Sequence, residues 1–258
     1  MSSLRPIIDS HIHLDKYENE EVDAIIQEVE KLITVSFDLT SCKQNLVLAE
    51  KFPQHVMPAF GLHPEQSLPN EQSLSDLLEW METHQHQAVA VGEVGLPYYL
   101  RRQQNNKNFP LSLYIDLLEQ FILIAKRWNK PLILHAIYED ARLVCDLLEK
   151  HSMQKAHFHW FKGDEVTIER MIKNGYYISV TPDICYEVDI QQLTTLYPLE
   201  QLMVETDGPW PFESLFRGKR TSPNMIHHSV KKIARLKDIP INDVYQRLYE
   251  NTKRFYEI

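Results

Sequence analysis

The chain has 258 residues, and its 43% apolar content suffices for the core of one large barrel or two small domains. Its formal net charge of −9, from 27 basic and 36 acidic residues, argues against a broad non-specific nucleic-acid platform, which would be basic. A site that holds a few phosphates through bound cations is compatible with this charge.

The sequence contains no signal for a membrane or for an oxidising compartment. No stretch of about 18 uncharged apolar residues occurs, so we expect no membrane span. Residues 1–5 contain no apolar signal core, so a cytoplasmic location is expected. Cys42, Cys145 and Cys185 lie far apart, which argues against a disulfide framework and against a thiolate zinc site.

Short β-rich apolar runs alternate with longer amphipathic segments, which is typical of a parallel sheet covered by helices. The eight predicted strands cover residues 7–14, 32–38, 56–63, 88–96, 131–136, 156–161, 176–181 and 202–206. Helices are predicted at about 19–30, 41–52, 73–86, 111–128, 138–151, 164–174, 188–196, 222–236 and 241–255. This pattern predicts an α/β fold with one (β/α)8 TIM-barrel domain over residues 1–258.

Local signals place some of the helix ends and mark one insert. Ser73 followed by Asp76 resembles a helix start, and Asp164 is predicted to cap the helix after the sixth strand. Residues 97–110 form a polar insert after the fourth strand, so in a barrel they would lie on the active face. A substrate-contacting loop and a solvated polar loop are both compatible with this composition.

The most informative pattern is the histidine pair His11 and His13, which closes the first apolar run in the motif DSHIHL. Alternate side chains share one face of a strand, so both rings point the same way and can chelate one cation. A satisfied pair of core histidines is the competing interpretation.

Four later apolar runs also end in a side chain that can bind a metal. These side chains are Glu93, His135, His159 and Asp207. A carboxylate within a buried strand is costly unless it is paired or bound to a cation, and the two oxygens of Glu93 can bridge two cations. His157 shares a face with His159, so the sequence leaves open which of them reaches a metal. Glu205 shares a face with Asp207 and is a candidate for supporting the ligands from behind. The histidine and carboxylate donors suit Zn²⁺ or Mn²⁺.

In their order and spacing these motifs resemble the TatD family of metal-dependent deoxyribonucleases, within the amidohydrolase-like barrels. The resemblance runs nearly end to end. The motifs that carry it are DSHIHL (9–14), GLHP (61–64), GEVGL (92–96), ILH (133–135), HWFKG (159–163), ETDGP (205–209), RGKR (217–220) and NTKRF (251–255).

The resemblance implies a cofactor of two divalent metal ions, Zn²⁺, Mn²⁺ or Mg²⁺, and favours His159 over His157. The implied ligands are His11, His13, Glu93 and Asp207 for the first cation, and Glu93, His135 and His159 for the second. Glu93 is then a catalytic bridge, and Asp207 is the catalytic group that orients or deprotonates the attacking water.

The resemblance also implies how a substrate is held. His63, in GLHP, is similar to the family's substrate-side histidine, which makes it a catalytic and substrate-binding candidate. Arg217, Lys219 and Arg220 resemble a basic loop that approaches phosphate, although a solvated run of charges is the alternative. The implied activity is a two-metal phosphodiesterase acting on DNA or oligonucleotide ends, with no obligate protein partner.

Departures from the family pattern surround the predicted mouth of the site. Pro97 stands where Asp is common, Ala136 and Ile137 where Ser-Arg is common, and Trp160 where Cys is common. They leave the ligands intact and favour a subgroup with its own substrate preference. The alternative function is therefore a metal-dependent hydrolase of a small phosphoester, amide or lactone.

Two further interpretations of the site are disfavoured. A carboxylated lysine bridge is weakened because the fourth strand offers Glu93 and no lysine. A non-catalytic metal-binding protein is disfavoured because no ligand is missing from the pattern. Tyr98, Tyr99 and Trp210 are candidates for stacking against a terminal base, and ordinary packing is an equal alternative for each.

Overall fold

The computed structural model describes residues 5–104 and 109–258. Within these residues eight parallel strands form one sheet in chain order. They are β1 (Ile8–Ile12), β2 (Lys31–Thr34), β3 (Val56–Phe60), β4 (Ala90–Gly95), β5 (Leu132–His135), β6 (Ala156–Phe158), β7 (Tyr177–Val180) and β8 (Leu202–Val204). Each strand pairs in parallel with the next, as Leu32 does with Val56 in the β2–β3 register. The predicted (β/α)8 TIM barrel is confirmed.

The barrel closes between β8 and β1 through hydrogen bonds at and beyond the strand ends. The backbone N–H of Asp207 donates to the carbonyl of His11 over 2.9 Å. The carboxylate of Asp9 accepts from Thr206 twice, from the backbone N–H at 3.0 Å and from the hydroxyl at 2.5 Å. These bonds hold the segment that carries Asp207 beside the strand that carries His11.

Helices cover the outside of the barrel. Those of the described residues are α1 (Asn19–Ile26), α2 (Leu39–Lys51), α3 (Glu71–His84), α4 (Tyr98–Gln103), α5 (Leu111–Trp128), α6 (Asp140–Lys150), α7 (Glu165–Lys173), α8 (Val188–Leu196), α9 (Ile226–Lys237) and α10 (Ile241–Tyr256). The side chain of Asp164 accepts a hydrogen bond from the N–H of Thr167, so the predicted cap of α7 is confirmed. The predicted start of α3 at Ser73 is wrong by two residues, because Asn70 is the capping residue.

The interpretation of residues 97–110 as a loop needs correction. Residues Tyr98–Gln103 form helix α4, whereas residues 105–108 of the insert lie outside the described part of the chain. The carboxylate of Glu65 accepts from the N–H of Tyr99 at 2.8 Å and of Leu100 at 2.6 Å, at the start of α4. A cap supplied by a residue so far away in sequence leaves no local pattern to detect.

Helix α10 covers the end of the barrel away from the predicted ligands. Phe255 and Tyr256 pack into a cluster with barrel residues that include Ile133 and Met203. Each of these strand residues precedes the ligand-bearing end of its strand, so α10 leaves that end open. No helix of the described residues is long and apolar enough to cross a membrane.

Candidate metal centre

The six residues predicted as metal ligands meet at the carboxyl ends of the strands. They are His11, His13, Glu93, His135, His159 and Asp207, and all six are buried. Because parallel strands present their carboxyl ends at one face of a barrel, residues from β1, β4, β5, β6 and β8 converge there.

Glu93 lies at the centre of the cluster, and its two oxygens face different histidines. Its Oε2 atom is 3.1 Å from His11 Nε2 and 3.4 Å from His13 Nε2. Its Oε1 atom is 2.7 Å from His159 Nε2 and 3.1 Å from His135 Nδ1. A carboxylate in this position can serve two cations, one with each oxygen.

Asp207 completes the side of the cluster formed by His11 and His13. Its Oδ1 atom is 3.4 Å from His11 Nε2 and 3.6 Å from His13 Nε2. The backbone of Asp207 has a φ of 49°, a left-handed conformation that Asp adopts more readily than most residues. Such local strain is found at functional sites, where the surrounding structure holds it in place.

His63 lies on the other side of the cluster, just beyond β3. Its Nε2 atom is 3.3 Å from Glu93 Oε1. Its Nδ1 atom accepts a hydrogen bond from the backbone N–H of Glu65 at 3.1 Å, so the ring proton of the neutral imidazole is on Nε2. His63 therefore presents a donor to the inside of the site.

The donor atoms of the cluster fit divalent cations. In the described part of the chain, three groups have donor atoms within 4.8 Å of one another, namely His11 with His13 and Glu93, His11 with His159 and Asp207, and His63 with Glu93 and His135. Buried atoms such as His11 Nε2, Glu93 Oε2 and Asp207 Oδ1 have no hydrogen-bond partner among the described residues. An unsatisfied buried polar group costs roughly 1–3 kcal/mol, and a cation would satisfy several at once.

Burial determines the protonation states of His11, His13 and Asp207. Desolvation lowers the pKa of His11 well below its ordinary value and lowers the pKa of His13 to about 4. Both rings are therefore neutral near pH 7, which is the form that binds a metal. Burial also raises the pKa of Asp207 well above its ordinary value, with the charge of Glu93 adding to the effect. A bound cation would oppose this rise by favouring the carboxylate.

Glu65 supports the other side of the cluster, although no motif in the sequence marks it. Its Oε1 atom is 3.2 Å from His135 Nε2, which leaves His135 Nδ1 facing Glu93. Burial lowers the pKa of His135, but the hydrogen bonds with Glu65 and Glu93 and the charges of these two carboxylates together outweigh burial and raise that pKa to about 9. A bound cation would oppose this rise by favouring the neutral ring, which is the form that binds a metal. A carboxylate behind a ligating histidine orients the ring and makes it a better ligand.

His157 and Glu205 lie deeper in the barrel than their neighbours on the same faces. Both ring nitrogens of His157 have partners, Tyr256 Oη at 2.7 Å and Ser179 Oγ at 2.6 Å. Glu205 accepts from Ser179 Oγ at 2.5 Å, and its Oε1 atom is 3.9 Å from His159 Nδ1. The structure thus brings His159, and not His157, to Glu93, with Glu205 behind His159.

A cavity of about 470 Å³ opens over the cluster. Aromatic side chains form much of its wall, namely Phe37, Tyr99, Trp160 and Trp210. Tyr99 and Trp210 are 47% and 45% exposed, whereas Tyr98 is buried and packs against Tyr138 with ring centroids 4.9 Å apart.

Ile137 and Trp160, two of the departures noted in the sequence, also line the cavity. A larger groove of about 590 Å³ adjoins it but contains none of the predicted ligands.

The predicted basic loop lies outside this cavity. Arg217 and Arg220 each pair with a glutamate at the surface, and Lys219 is exposed. None of these three described residues lines the cavity, so their contact with substrate stays a prediction. The lysines among the described residues of the wall are Lys16, which lies outside every motif quoted above, and Lys162, which lies in HWFKG but was not predicted as a site residue.

The model of the family described as TatD related DNase matches residues 8–257. The chain belongs to this family. It is a metal-dependent hydrolase of the TatD type, and the predicted family resemblance is confirmed. An uncharacterized metal-dependent hydrolase from Haemophilus influenzae is 37% identical over 254 residues, which covers 98% of this chain and 100% of the relative. The human deoxyribonuclease TATDN3 is 27% identical over 265 residues, with coverage of 97% and 94%.

Solved structures of the TatD family have the same fold. YJJV from Escherichia coli, a TatD homolog, has a TM-score of 0.86 at 26% identity, with 98% of each chain covered. A TatD family hydrolase from Entamoeba histolytica has a TM-score of 0.83 at 18% identity, with 99% of each chain covered.

Proposed function

We propose that the chain is a two-metal phosphodiesterase that hydrolyses DNA from its ends, an exodeoxyribonuclease. The observation that carries this proposal is the position of Glu93, whose two oxygens face two separate groups of histidines. A carboxylate shared in this way suits a pair of cations that acts on one phosphate. The name of the human relative, a deoxyribonuclease, supports a nucleic-acid substrate.

The proposed ligand sets follow the two sides of Glu93. They are His11, His13, Glu93 and Asp207 for one cation and Glu93, His135 and His159 for the other. Divalent cations bound there, Zn²⁺, Mn²⁺ or Mg²⁺, would activate water and polarise a phosphate oxygen. The imidazole and carboxylate donors of these residues can bind any of the three metals, so the identity of the metal has to be measured.

In the proposed reaction, residues of the chain accept the proton of the water and stabilise the charge that develops on the phosphate. Asp207 accepts the proton of the attacking water, and burial, which raises the pKa of this carboxyl, favours the protonated form that results. His63 donates from Nε2 to an oxygen of the phosphate and stabilises the charge that develops there. Tyr99 and Trp210 provide exposed rings on which a terminal base can stack.

The test is the digestion of a single-stranded oligonucleotide labelled at its 3′ end, in Mg²⁺, Mn²⁺ and Zn²⁺. We expect progressive shortening. Early release of labelled mononucleotide would indicate digestion from the 3′ end, and a ladder of labelled fragments digestion from the 5′ end. An intact oligonucleotide in all three metals would contradict the proposal.

The alternative is hydrolysis of a small phosphoester or amide, which is favoured by Ile137 and Trp160 in the cavity wall. Turnover of such a compound with no turnover of any oligonucleotide would select it. We also propose that residues 1–258 form one domain, and that the protein acts in the cytoplasm without an obligate protein partner.

A further inference from the structure

A lysine of the cavity wall lies next to the metal centre. Lys16 ends the short 3-10 turn Leu14–Lys16, directly after the segment that carries His13. Its Nζ atom lies between two aromatic rings, 4.4 Å from the centroid of Phe37 and 4.8 Å from that of Trp210. The side chain is partly buried, and among the described residues its ammonium group forms no salt bridge or hydrogen bond.

The same two rings connect Lys16 to the cluster. The ring of Phe37 stacks on His63 with centroids 4.8 Å apart, and the indole of Trp210 meets His13 edge to face at 6.4 Å. One aromatic ring therefore separates the ammonium group from each of two histidines of the site. The two cation–π contacts hold the side chain at this position.

The other lysine of the cavity wall, Lys162, already has a carboxylate partner. Lys162 Nζ is 3.8 Å from Asp183 Oδ2 and lies 5.3 Å from the ring of Trp160. Lys16 has no such salt bridge among the described residues, and a partly buried ammonium attracts an anion more strongly than one in bulk water. A lysine binds phosphate as a point charge, without the geometric demands of arginine.

We propose that Lys16 binds a second phosphate of the substrate, adjacent to the phosphate held at the metal centre. This inference rests on the proposed phosphodiesterase function and makes it more specific. In a strand, the next phosphate is one nucleotide away, and the ring of Trp210 beside Lys16 offers a surface for the intervening base. Lys16 is thus a specificity-determining residue that favours a strand over a substrate with a single phosphate.

The test compares two ligands by calorimetry, on protein loaded with the cation that it retains on purification. Thymidine 5′-monophosphate has one phosphate, and thymidine 3′,5′-bisphosphate has two. We expect the wild type to bind the bisphosphate about tenfold more tightly, which corresponds to about 1.4 kcal/mol. Lys16→Met keeps the apolar stem between the rings and removes the charge, so the ratio of affinities falls to about one. Lys16→Arg keeps the positive charge, so it restores most of the tenfold ratio.

Two lysine variants serve as comparisons. Lys253 lies over the ring of Tyr249 at 5.3 Å on α10, outside the cavity, so Lys253→Met keeps the tenfold ratio. Lys219→Met tests whether the basic loop predicted from the sequence binds the second phosphate instead. A ratio that is unchanged in Lys16→Met, or that is lost in Lys219→Met instead, overturns the inference.

Cleavage of bis(p-nitrophenyl) phosphate, a diester with one phosphate, tests the proposed function separately. If the wild type cleaves it but binds both nucleotides equally, the role of Lys16 is wrong and the phosphodiesterase proposal stands. If the wild type cleaves no diester but gains affinity from the second phosphate through Lys16, the site stands and the phosphodiesterase proposal fails.

Discussion

At the scale of residues, the sequence indicates which face of a strand a side chain occupies, but not its depth in the barrel. His157 and His159 alternate correctly for one face, and only His159 reaches Glu93. Two residues along a strand span about 6.6 Å, which separates one layer of a barrel interior from the next. Depth depends on where each strand ends relative to its neighbours, and the sequence of one strand does not contain that information.

The two histidines make a matched pair of variants. We expect His159→Ala to lose bound metal, because the imidazole faces Glu93 Oε1 at 2.7 Å. We expect His157→Ala to keep its metal but to lower the free energy of unfolding by about 3 kcal/mol, since a cavity forms and Tyr256 loses its partner. Metal content by mass spectrometry and unfolding in urea measure the two effects.

Equal loss of metal in both variants would show that His157 also contributes to the cation site. Metal retained in full by His159→Ala would remove this residue from the proposed ligands. Each result changes the assignment without depending on the identity of the substrate.

At the scale of elements, helix α4 shows how a wall of the site depends on distant residues. The six residues Tyr98–Gln103 are too few to display a helical stripe in the sequence. The N–H groups of Tyr99 and Leu100 donate to Glu65, which also contacts His135. One carboxylate thereby links a proposed metal ligand to the helix that carries Tyr99 into the cavity wall.

We expect Glu65→Ala to lower the metal affinity by about 10- to 100-fold, the usual effect of removing a group that supports a ligand. The amides of α4 should also exchange faster with solvent, because their cap is lost. Glu169→Ala, at an exposed position of α7, is the control and should change neither quantity. Metal titration and hydrogen exchange provide the readouts, and unchanged values for Glu65→Ala would mean that Glu65 positions neither group.

In the molecule as a whole, the strand order and the convergence of the six proposed ligands could be predicted, because apolar runs alternate with amphipathic segments and several of these runs end in His, Glu or Asp. The cavity wall could not be predicted to the same extent. Lys16 and Glu65 line it through tertiary contacts, Lys16 with two rings and Glu65 with helix α4, that are far away in sequence. Conversely, the RGKR motif at residues 217–220 was conspicuous in sequence, yet its basic side chains lie outside the cavity.

We propose that Glu93 holds divalent cations that the reaction requires. The most direct measurement is metal content per chain by mass spectrometry, together with oligonucleotide turnover, for wild type and Glu93→Ala. We expect the wild type to retain two cations. We expect the variant to keep its circular dichroism spectrum, to lose bound metal and to be more than about 100-fold slower. A Glu93→Ala protein with its full metal content and full activity would contradict the claim.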